Sequence, residues 1–358
     1  MAILNRASEY QIPTVIVIGD FTTPIGDASW RADDRKKITN SELSENLEKI
    51  REQLKRLSPN SELIQNSQFY SSFSINSVFD LLPFFNANSL LNKDFLKMRW
   101  DKESLTLKDI FYPVLQSYDF YSLVKNKNIG IQLGGQDQWG NITTGIEFIK
   151  RKQENLSVGG FTIPLLTDSS GSKFGKSTKG ALFLDNKLSS EYKVFQYFWN
   201  LSDQQLKNLS NFVFSISLEE LELPPQELKQ KIIRELFTNV YSLEKFQRVQ
   251  KISDFLFDVQ KQSENYQWTQ EELELLMEEI PSYSSSELMN VSNILIQLGL
   301  SNSHSESKRL VEQDGCIFGF GKKLTNHKEK LDISLFQHSF FLIRKGEKDF
   351  GIFKLITN

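Results

Sequence analysis

The chain has 358 residues and a formal net charge of −3, and apolar residues make up 39% of it and charged residues 24%, which is typical of a globular protein with two or three domains. The near-neutral charge excludes a global positive field for nucleic acid, so a polyanionic partner would need local basic patches. The single cysteine, Cys316, excludes a disulfide within the chain and favours a reducing compartment, and the three histidines all lie after residue 300, which excludes the usual Cys/His zinc clusters.

The first 190 residues alternate between predicted strands and predicted helices. The chain opens with the end of a helix, and three short apolar runs, TVIVIG, GIQLGG and FTIPLL, then read as buried parallel strands at residues 14–19, 130–135 and 161–166. Helical spacing of apolar residues marks segments 41–57, 107–127 and 141–152. This alternation predicts an α/β fold with a doubly wound parallel sheet, and no apolar run is long enough to predict a membrane-spanning helix.

The second half of the chain is predicted to be helical and then mixed. From about residue 190 to 280 the spacing is helical, and Ser202 with Gln205 predicts a capping box. The serine-rich stretch PSYSSSELMN (281–290) is interpreted as a linker before a small α/β unit. Three domains are therefore predicted. The first is an α/β domain at 1–188 with inserted helices at about 40–110, the second is a helical domain at 189–280, and the third is a small α/β domain at 286–358.

The glycine turn in IQLGGQDQWGNI (131–142) predicts a ligand site. Gly134 and Gly135 end a strand just before a helix, where free N–H groups and the missing side chains allow a ligand to approach closely. Asp137 can accept hydrogen bonds from vicinal hydroxyls such as those of a ribose, and Gln138 can both donate and accept. The alternative is that Asp137 only caps the following helix.

The segment SSGSKFGKSTKG (169–180) places two lysines three residues apart in a Gly/Ser-rich loop. Such a loop could close Lys173 and Lys176 on a polyphosphate and supply donors that match charge developing in a transition state. The alternative is a solvated surface loop.

The segment GDASWRADDR (26–35) follows the first predicted strand. Asp27 is close enough to that strand to lie at the same edge of the sheet as the glycine turn. Arg31 and Arg35 are four residues apart and could face phosphates together. The alternative is a helix cap with surface arginines.

The helix that contains FYPVLQSYDF (111–120) has an unusual polar face. Tyr112, Gln116 and Asp119 are spaced i, i+4 and i+7, so they share one face of the helix. Two polar groups and a phenol beside apolar neighbours suit a pocket for a small polar ligand, although an ordinary amphipathic helix is the alternative.

Taken in order, these strings resemble the tyrosyl-tRNA synthetases of the bacterial and organellar type, which are class I aminoacyl-tRNA synthetases. LQSYDF, QLGGQDQWGNIT and KFGKS are close matches, and IGDAS stands where the family has Ile-Gly-Asp-Pro-Ser. The similarity extends from residue 12 onward, and tryptophanyl relatives do not share GGQDQWGN. The resemblance implies a Rossmann-like catalytic domain, a helical domain and a small RNA-binding domain, and the activity of a tyrosine–tRNA ligase.

The resemblance also implies roles for individual residues. Asp119 would bind the phenolic hydroxyl of tyrosine. The substrate amino group and the tyrosyl part would be held by the remaining tyrosine-binding residues, which are Asp27, Tyr112, Gln116, Gln132 and Gln138. ATP, with Mg²⁺, would contact Gly134, Gly135, Asp137 and Lys176. The residues that would act at the pyrophosphate are Lys173, Lys176, Ser177, Arg31 and Arg35.

The last 70 residues resemble a small RNA-binding fold. Its basic residues are gathered in one module of an acidic chain, which is the electrostatic pattern of RNA binding, and they include Lys308, Arg309, Lys322 and Lys323. The resemblance implies tyrosine tRNA as partner and a homodimer formed through helices at about 75–125. Abundant Asn, Lys, Phe and Ile suit an AT-rich genome, which allows an organelle, such as the mitochondrial matrix, or a bacterial cytoplasm.

The family has a second ATP signature, His-x-Gly-His, on its first helix, and this chain has no histidine before His304. The expectation from this departure is that the chain is an incomplete version of a longer enzyme, loosely folded in its first 150 residues and inactive in adenylation until an upstream segment is restored. The alternative is a shortened paralogue that binds structured RNA without catalysis.

If the two lysines of the loop act on the pyrophosphate, Lys176→Ala lowers the rate of adenylation and leaves tyrosine affinity nearly unchanged, because the loop contributes in the transition state. Single-turnover adenylation and equilibrium tyrosine binding measure the two effects separately. A loss of tyrosine binding alone would place the loop elsewhere.

Overall fold

The computed structural model describes residues 1–27, 39–153, 155–165, 182–210, 216–217, 219–257, 266–318, 324, 326–346 and 348–356. These residues fall in two compact units, one within Met1–Ser177 and Asn208–Phe214 and the other within Thr178–Lys207 and Ser215–Asn358. Among the described helices, none combines the length and the apolar character needed to cross a bilayer.

The first unit alternates helices and strands, as predicted. Its elements in chain order are α1 (Ala2–Glu9), β1 (Val15–Ile18), α2 (Asn40–Leu57), β2 (Glu62–Gln65), α3 (Ile75–Leu81), α4 (Ala87–Leu91), α5 (Asp94–Asp101), α6 (Leu107–Lys127), β3 (Ile131–Gly135), α7 (Trp139–Lys152) and β4 (Gly159–Ile163). The three predicted strands and the three predicted helices are all present. Strand β2 has no counterpart in the sequence prediction, because its four residues, ELIQ, include two polar ones and form no continuous apolar run.

The strands of this unit form two parallel pairs. In the first pair, β1 lies beside β2, with Val15 opposite Glu62. In the second pair, β3 lies beside β4, with Gly135 opposite Ile163. Parallel neighbours need a crossover connection, which contains α2 in the first pair and α7 in the second. The α/β class predicted from the sequence is therefore confirmed.

Helix α6 is the long element on which the first unit is built. A reciprocal capping box starts it, because the Asp109 side chain accepts from the Thr106 backbone N–H at 2.9 Å while Thr106 accepts from Asp109. It packs closely on α7 at Gly145, where an added Cβ would lie 3.6 Å from the Cα of Ser117. The close approach packs the Ser117 and Phe120 side of α6 against α7.

The second unit combines a helical layer with a four-stranded sheet. Its elements in chain order are α8 (Glu191–Trp199), α9 (Asp203–Ser210), α10 (Pro225–Val240), α11 (Leu243–Phe257), α12 (Gln270–Glu279), β5 (Ser282–Ser285), α13 (Val291–Gln297), α14 (His304–Glu312), β6 (Cys316–Phe318), β7 (Phe340–Lys345) and β8 (Asp349–Leu355). The predicted capping box is present, since Gln205 Oε1 accepts from the Ser202 backbone N–H at 3.0 Å and Gln205 N–H donates to Ser202 Oγ at 3.4 Å.

The linker predicted at 281–290 is wrong in its first half. Residues Ser282–Ser285 form strand β5, which pairs in parallel with β8 in a sheet of order β5-β8-β7-β6. A ladder is made by backbone groups, so a serine-rich segment can form a strand when a partner is in place. Composition alone therefore misassigned this stretch.

Both faces of this sheet are covered by hydrophobic residues. On one face, Phe340, Leu342 and Ile352 belong to the core formed with helices α8, α10, α11 and α12. On the other face, Phe341 and Phe353 belong to the core formed with α13 and α14. Alternate residues of a strand point to opposite faces, so β7 and β8 supply both cores at once.

The adjacent phenylalanines of β7 test this two-sided arrangement. Phe340→Ala and Phe341→Ala each remove a side chain that is at most 1% exposed, and each should cost about 3–5 kcal/mol of stability. Hydrogen exchange should rise in α11 and α12 after the Phe340 change, and in α13 and α14 after the Phe341 change. If the Phe340 change leaves α11 and α12 protected, the helical layer and the sheet do not share a core.

Candidate functional site

The turn after β3 is shaped by its two glycines. A Cβ on Gly134 would lie 2.9 Å from the Cβ of Gln138, and a Cβ on Gly135 would lie 2.7 Å from Oδ1 of Asp137. The side chains of the turn therefore fold back over the glycine backbone. Helix α7 has Gln138 as its N-cap residue, with no side-chain cap hydrogen bond. Asp137 lies one residue before this N-cap, in the 3-10 turn Gln136–Gln138 that leads into α7.

A hydrogen-bonded group joins the β1 loop to the start of α7. Gln138 Nε2 donates to Asp27 Oδ2 at 2.7 Å, across 111 positions of sequence. Asn141 Nδ2 donates to Gln138 Oε1 at 3.0 Å and lies 3.5 Å from Asp27 Oδ1. Gly26, with φ of 80°, provides the left-handed turn that delivers Asp27. Two segments that the sequence analysis predicted at one sheet edge do meet.

Asp119 lies at the centre of a second polar group and is 8% exposed. Its Oδ2 accepts a hydrogen bond from Asn66 Nδ2 at 3.0 Å. Asn66 is fully buried, and it also donates to Thr22 Oγ1 at 3.1 Å and accepts from the backbone N–H of Phe21 at 2.9 Å. Asn66 thus connects the loop after β1, the 3-10 turn after β2 and helix α6.

Burial raises the pKa of the Asp119 carboxyl from 3.8 to about 7. The hydrogen bond from Asn66 and the hydroxyl of Tyr70 lower the pKa and so offset part of this effect, whereas the negative charge of Asp20 adds to it. Burial also raises the pKa of Tyr70, and the nearby Asp119 charge raises it further, so the Tyr70 phenol stays protonated.

Several buried acceptor oxygens in this unit have no hydrogen-bond partner among the described residues. They are Asp119 Oδ1, Gln132 Oε1 and Asn141 Oδ1. Leaving a buried polar group unsatisfied costs about 1–3 kcal/mol, so such atoms are usually paired in the working state of a protein. Each of these oxygens is therefore suited to accept a hydrogen bond from a ligand.

The other predicted site residues are placed as follows. Tyr112 and Gln116 are half-buried on α6 with Asp119. Lys308 and Arg309 are exposed on α14, and Lys308 lies 3.7 Å from Glu312. The predicted residues that lie outside the described ranges are Arg31, Arg35, Lys173, Lys176, Ser177, Lys322 and Lys323. Within the described ranges, no group of three or more His, Cys, Asp or Glu residues could hold a metal ion.

Asn66, Tyr70 and Asn141 were not predicted from the sequence as site residues. Asn66 and Tyr70 belong to the short segment NSQFY that follows β2, a strand that the apolar pattern does not reveal. Asn141 lies in the glycine-turn segment 131–142, where its amide, three residues after Gln138, is the sequence signal for a hydrogen bond between the two. The hydrogen bonds of Asn66 join residues more than 40 positions apart in the sequence, so they cannot be predicted from local patterns.

The raised pKa of Asp119 predicts a pH dependence of stability. The folded protein holds a proton on Asp119 up to about pH 7, while the unfolded chain releases it near 3.8, so the free energy of unfolding falls as pH rises between these values and stays lower above them. Asp119→Asn is neutral at every pH and removes this fall. The difference in melting temperature between the variant and the wild type, measured without ligand from pH 4 to 8, should grow with pH. A constant difference would contradict the assigned shift.

Comparison with known proteins places this geometry in a family. Residues 1–265 match the family model for class I tRNA synthetases of the W and Y group. The tyrosine–tRNA ligase of Mycoplasma mobile is 34% identical and is aligned over 98% of this chain and 87% of its own length. The tyrosine–tRNA ligase 2 of Bacillus cereus is 32% identical, over 95% of this chain and 84% of its own length.

Solved structures agree on the fold. A C-terminally truncated mitochondrial tyrosyl-tRNA synthetase of Aspergillus nidulans has a TM-score of 0.60 at 21% identity, over 72% of this chain and 80% of that one. The corresponding protein of Coccidioides posadasii has a TM-score of 0.58 at 23% identity, over 70% of this chain and 77% of that one. With its matched sequence, its parallel strands and its glycine turn, the chain belongs to the class I tRNA synthetases of the tryptophanyl and tyrosyl group.

Proposed function

We propose that this chain is a tyrosine–tRNA ligase. It activates tyrosine with ATP to tyrosyl-adenylate and then transfers the tyrosyl group to tyrosine tRNA. The relatives that cover nearly the whole chain are named tyrosine–tRNA ligases, and the matched family divides between tryptophan and tyrosine. The structure of the site must therefore explain why the enzyme selects tyrosine and not tryptophan.

The observation that carries the proposal is the state of Asp119. Its carboxyl group is buried, one oxygen is held by Asn66, and the other has no hydrogen-bond partner among the described residues. A tyrosine phenol supplies one O–H donor, which that open oxygen accepts. An indole ring carries an N–H at a different place, and phenylalanine carries no donor, so both leave the buried oxygen unsatisfied.

The other end of the substrate lies against acceptors that suit an ammonium group. Asp27, Tyr112 and Gln116 hold the amino group, and Gln132 and Gln138 position the tyrosyl part. The support is the hydrogen bond that joins Asp27 to Gln138, and the buried Gln132 Oε1, which has no partner among the described residues. These roles place a donor-rich ligand between α6 and the start of α7.

ATP binds as its Mg²⁺ complex at the glycine turn. Gly134 and Gly135 permit the adenosine to approach the backbone, and Asp137 accepts from the ribose hydroxyls. An oxygen of the tyrosine carboxylate attacks the α-phosphorus, the bond to the bridging oxygen breaks, and pyrophosphate leaves. The groups proposed to stabilise that charge come from the family resemblance, and they are Lys173, Lys176, Ser177, Arg31 and Arg35.

The tRNA contacts the second unit through its basic residues. Lys308 and Arg309 are exposed on α14, and Lys322 and Lys323 follow them in the sequence. Such contacts weaken with added salt. We propose further that the protein works as a homodimer, in a bacterial cytoplasm or in an organelle such as the mitochondrial matrix, and that 189–280 and 286–358 are its two tRNA-side domains.

Tyrosine-dependent exchange of pyrophosphate into ATP tests the proposed reaction. It is measured with the 358-residue chain and with the same chain extended upstream by a segment that contains His-x-Gly-His. Exchange with tyrosine that exceeds exchange with tryptophan and phenylalanine supports the function. Exchange with none of them in either protein would reject it.

Asp119→Ala should erode the preference for tyrosine over phenylalanine in whichever form is active. Above pH 7, where the Asp119 carboxyl is ionised, losing a hydrogen bond to it costs about 1.5–3 kcal/mol, which corresponds to roughly a ten- to hundredfold loss of selectivity. The ratio of kcat/KM values for the two amino acids measures it. Asp109→Ala is a matched control, because Asp109 is a buried carboxylate on the same helix that caps its first turn. Unchanged selectivity after the Asp119 change would reject the assignment.

A further inference from the structure

Tyr70 lies beside the buried carboxylate and has no role in the proposed reaction so far. It ends the 3-10 turn Asn66–Tyr70, and its side chain is 7% exposed. Its hydroxyl donates to the backbone carbonyl of Leu115 at 3.0 Å. The same hydroxyl is also within hydrogen-bonding reach of the Asp119 carboxyl, and this contact lowers the pKa of that carboxyl. A buried phenol next to a residue proposed to bind a substrate phenol calls for an explanation.

The hydrogen bond of Tyr70 acts on the turn of α6 that carries Asp119. In an α-helix the carbonyl of residue 115 accepts from the N–H of residue 119. Tyr70 therefore bonds to the same carbonyl oxygen that receives the backbone N–H of Asp119. The Tyr70 hydroxyl is thus hydrogen-bonded to the turn of α6 that precedes Asp119, and this bond limits how that turn can move.

The ring of Tyr70 is held on its other side by the loop after β1. Phe21 stacks on it, with ring centroids 4.2 Å apart and planes at 14°. The backbone N–H of Phe21 donates to Asn66 Oδ1, and Asn66 donates to Asp119. Tyr70 and Asn66 thus approach the carboxylate from the same short turn and are supported by the same loop.

A phenolic hydroxyl has a single proton to donate. Here the 3.0 Å hydrogen bond directs that proton at Leu115. The contact of the hydroxyl with the Asp119 carboxyl leaves Oδ1 without a hydrogen-bond partner among the described residues. If Tyr70 donated to Oδ1 instead, a ligand phenol would have to displace it. The carbonyl of Leu115 therefore keeps the neighbouring phenol from satisfying the oxygen that the substrate needs.

We propose that Tyr70 is a specificity-determining positioning residue for the tyrosine phenol: by committing its proton to the Leu115 carbonyl, it orients the α6 turn and leaves Asp119 Oδ1 open to the substrate hydroxyl. The inference rests on the proposed function, in that tyrosine is taken as the ligand of Asp119. Tyr70 acts through Asp119 and not on the reacting atoms, so it affects recognition of the phenol and not the rate of adenylation.

The test is Tyr70→Phe, which removes the hydroxyl and keeps the ring that stacks on Phe21. Tyrosine affinity, measured by calorimetry on the 358-residue protein, should fall about three- to tenfold, the effect of one neutral hydrogen bond. Phenylalanine affinity should not change, because phenylalanine makes no bond to Asp119. In an active form, KM for tyrosine should rise by the same factor while kcat stays constant.

Tyr118→Phe is the matched control. The Tyr118 ring lies 5.5 Å from the Tyr70 ring in the same aromatic cluster, and removing its hydroxyl should leave the ratio of tyrosine to phenylalanine affinity unchanged. An equal loss for both amino acids after Tyr70→Phe, or tighter tyrosine binding, would overturn the inference. Wild-type protein that binds neither amino acid would instead contradict the proposed function, so the two failures are distinguishable.

Discussion

A carboxyl group can be buried in a protein only if it is hydrogen-bonded or gives up its charge, and Asp119 shows both responses. Burial raises its pKa to about 7, and Asn66 supplies one donor. The remaining oxygen has no hydrogen-bond partner among the described residues. Much of the first unit serves this arrangement: β2 delivers Asn66 and Tyr70, α6 carries Asp119, and the loop after β1 supports both.

The site is assembled from segments that are distant in sequence and adjacent in space. The Asp27–Gln138 hydrogen bond spans 111 positions and the Asn66–Asp119 hydrogen bond spans 53. Both meet near the ends of parallel strands, where an open α/β sheet gathers its loops. Hydrogen bonds of this kind hold the acceptors in place before a ligand arrives, so less ordering is needed on binding.

In the second unit, a single sheet contributes side chains to two hydrophobic cores. Strands β7 and β8 alternate their side chains between the core shared with α8, α10, α11 and α12 and the core shared with α13 and α14. Neither helical layer would bury its apolar face without the sheet between them. Strand β5 extends this sheet, with its serines contributing backbone hydrogen bonds. Unlike the site, this part of the chain carries its basic residues outward, where Lys308 and Arg309 are exposed.

The sequence by itself determined the elements with strong periodicity and the residues with unusual chemistry. The continuous apolar run at 15–18 and the helical spacing at 107–127 match the structure, and so does the polar face with Asp119, because local patterns reflect which side of an element is buried. Strand β2, strand β5 and Asn66 were decided by the tertiary structure alone. A short polar strand is stabilised by its ladder partner. Asn66 connects three segments only when folding brings Thr22, Phe21 and Asp119 around it. Hydrogen bonds between distant segments leave no periodic pattern in the sequence, so neither feature could be predicted from it.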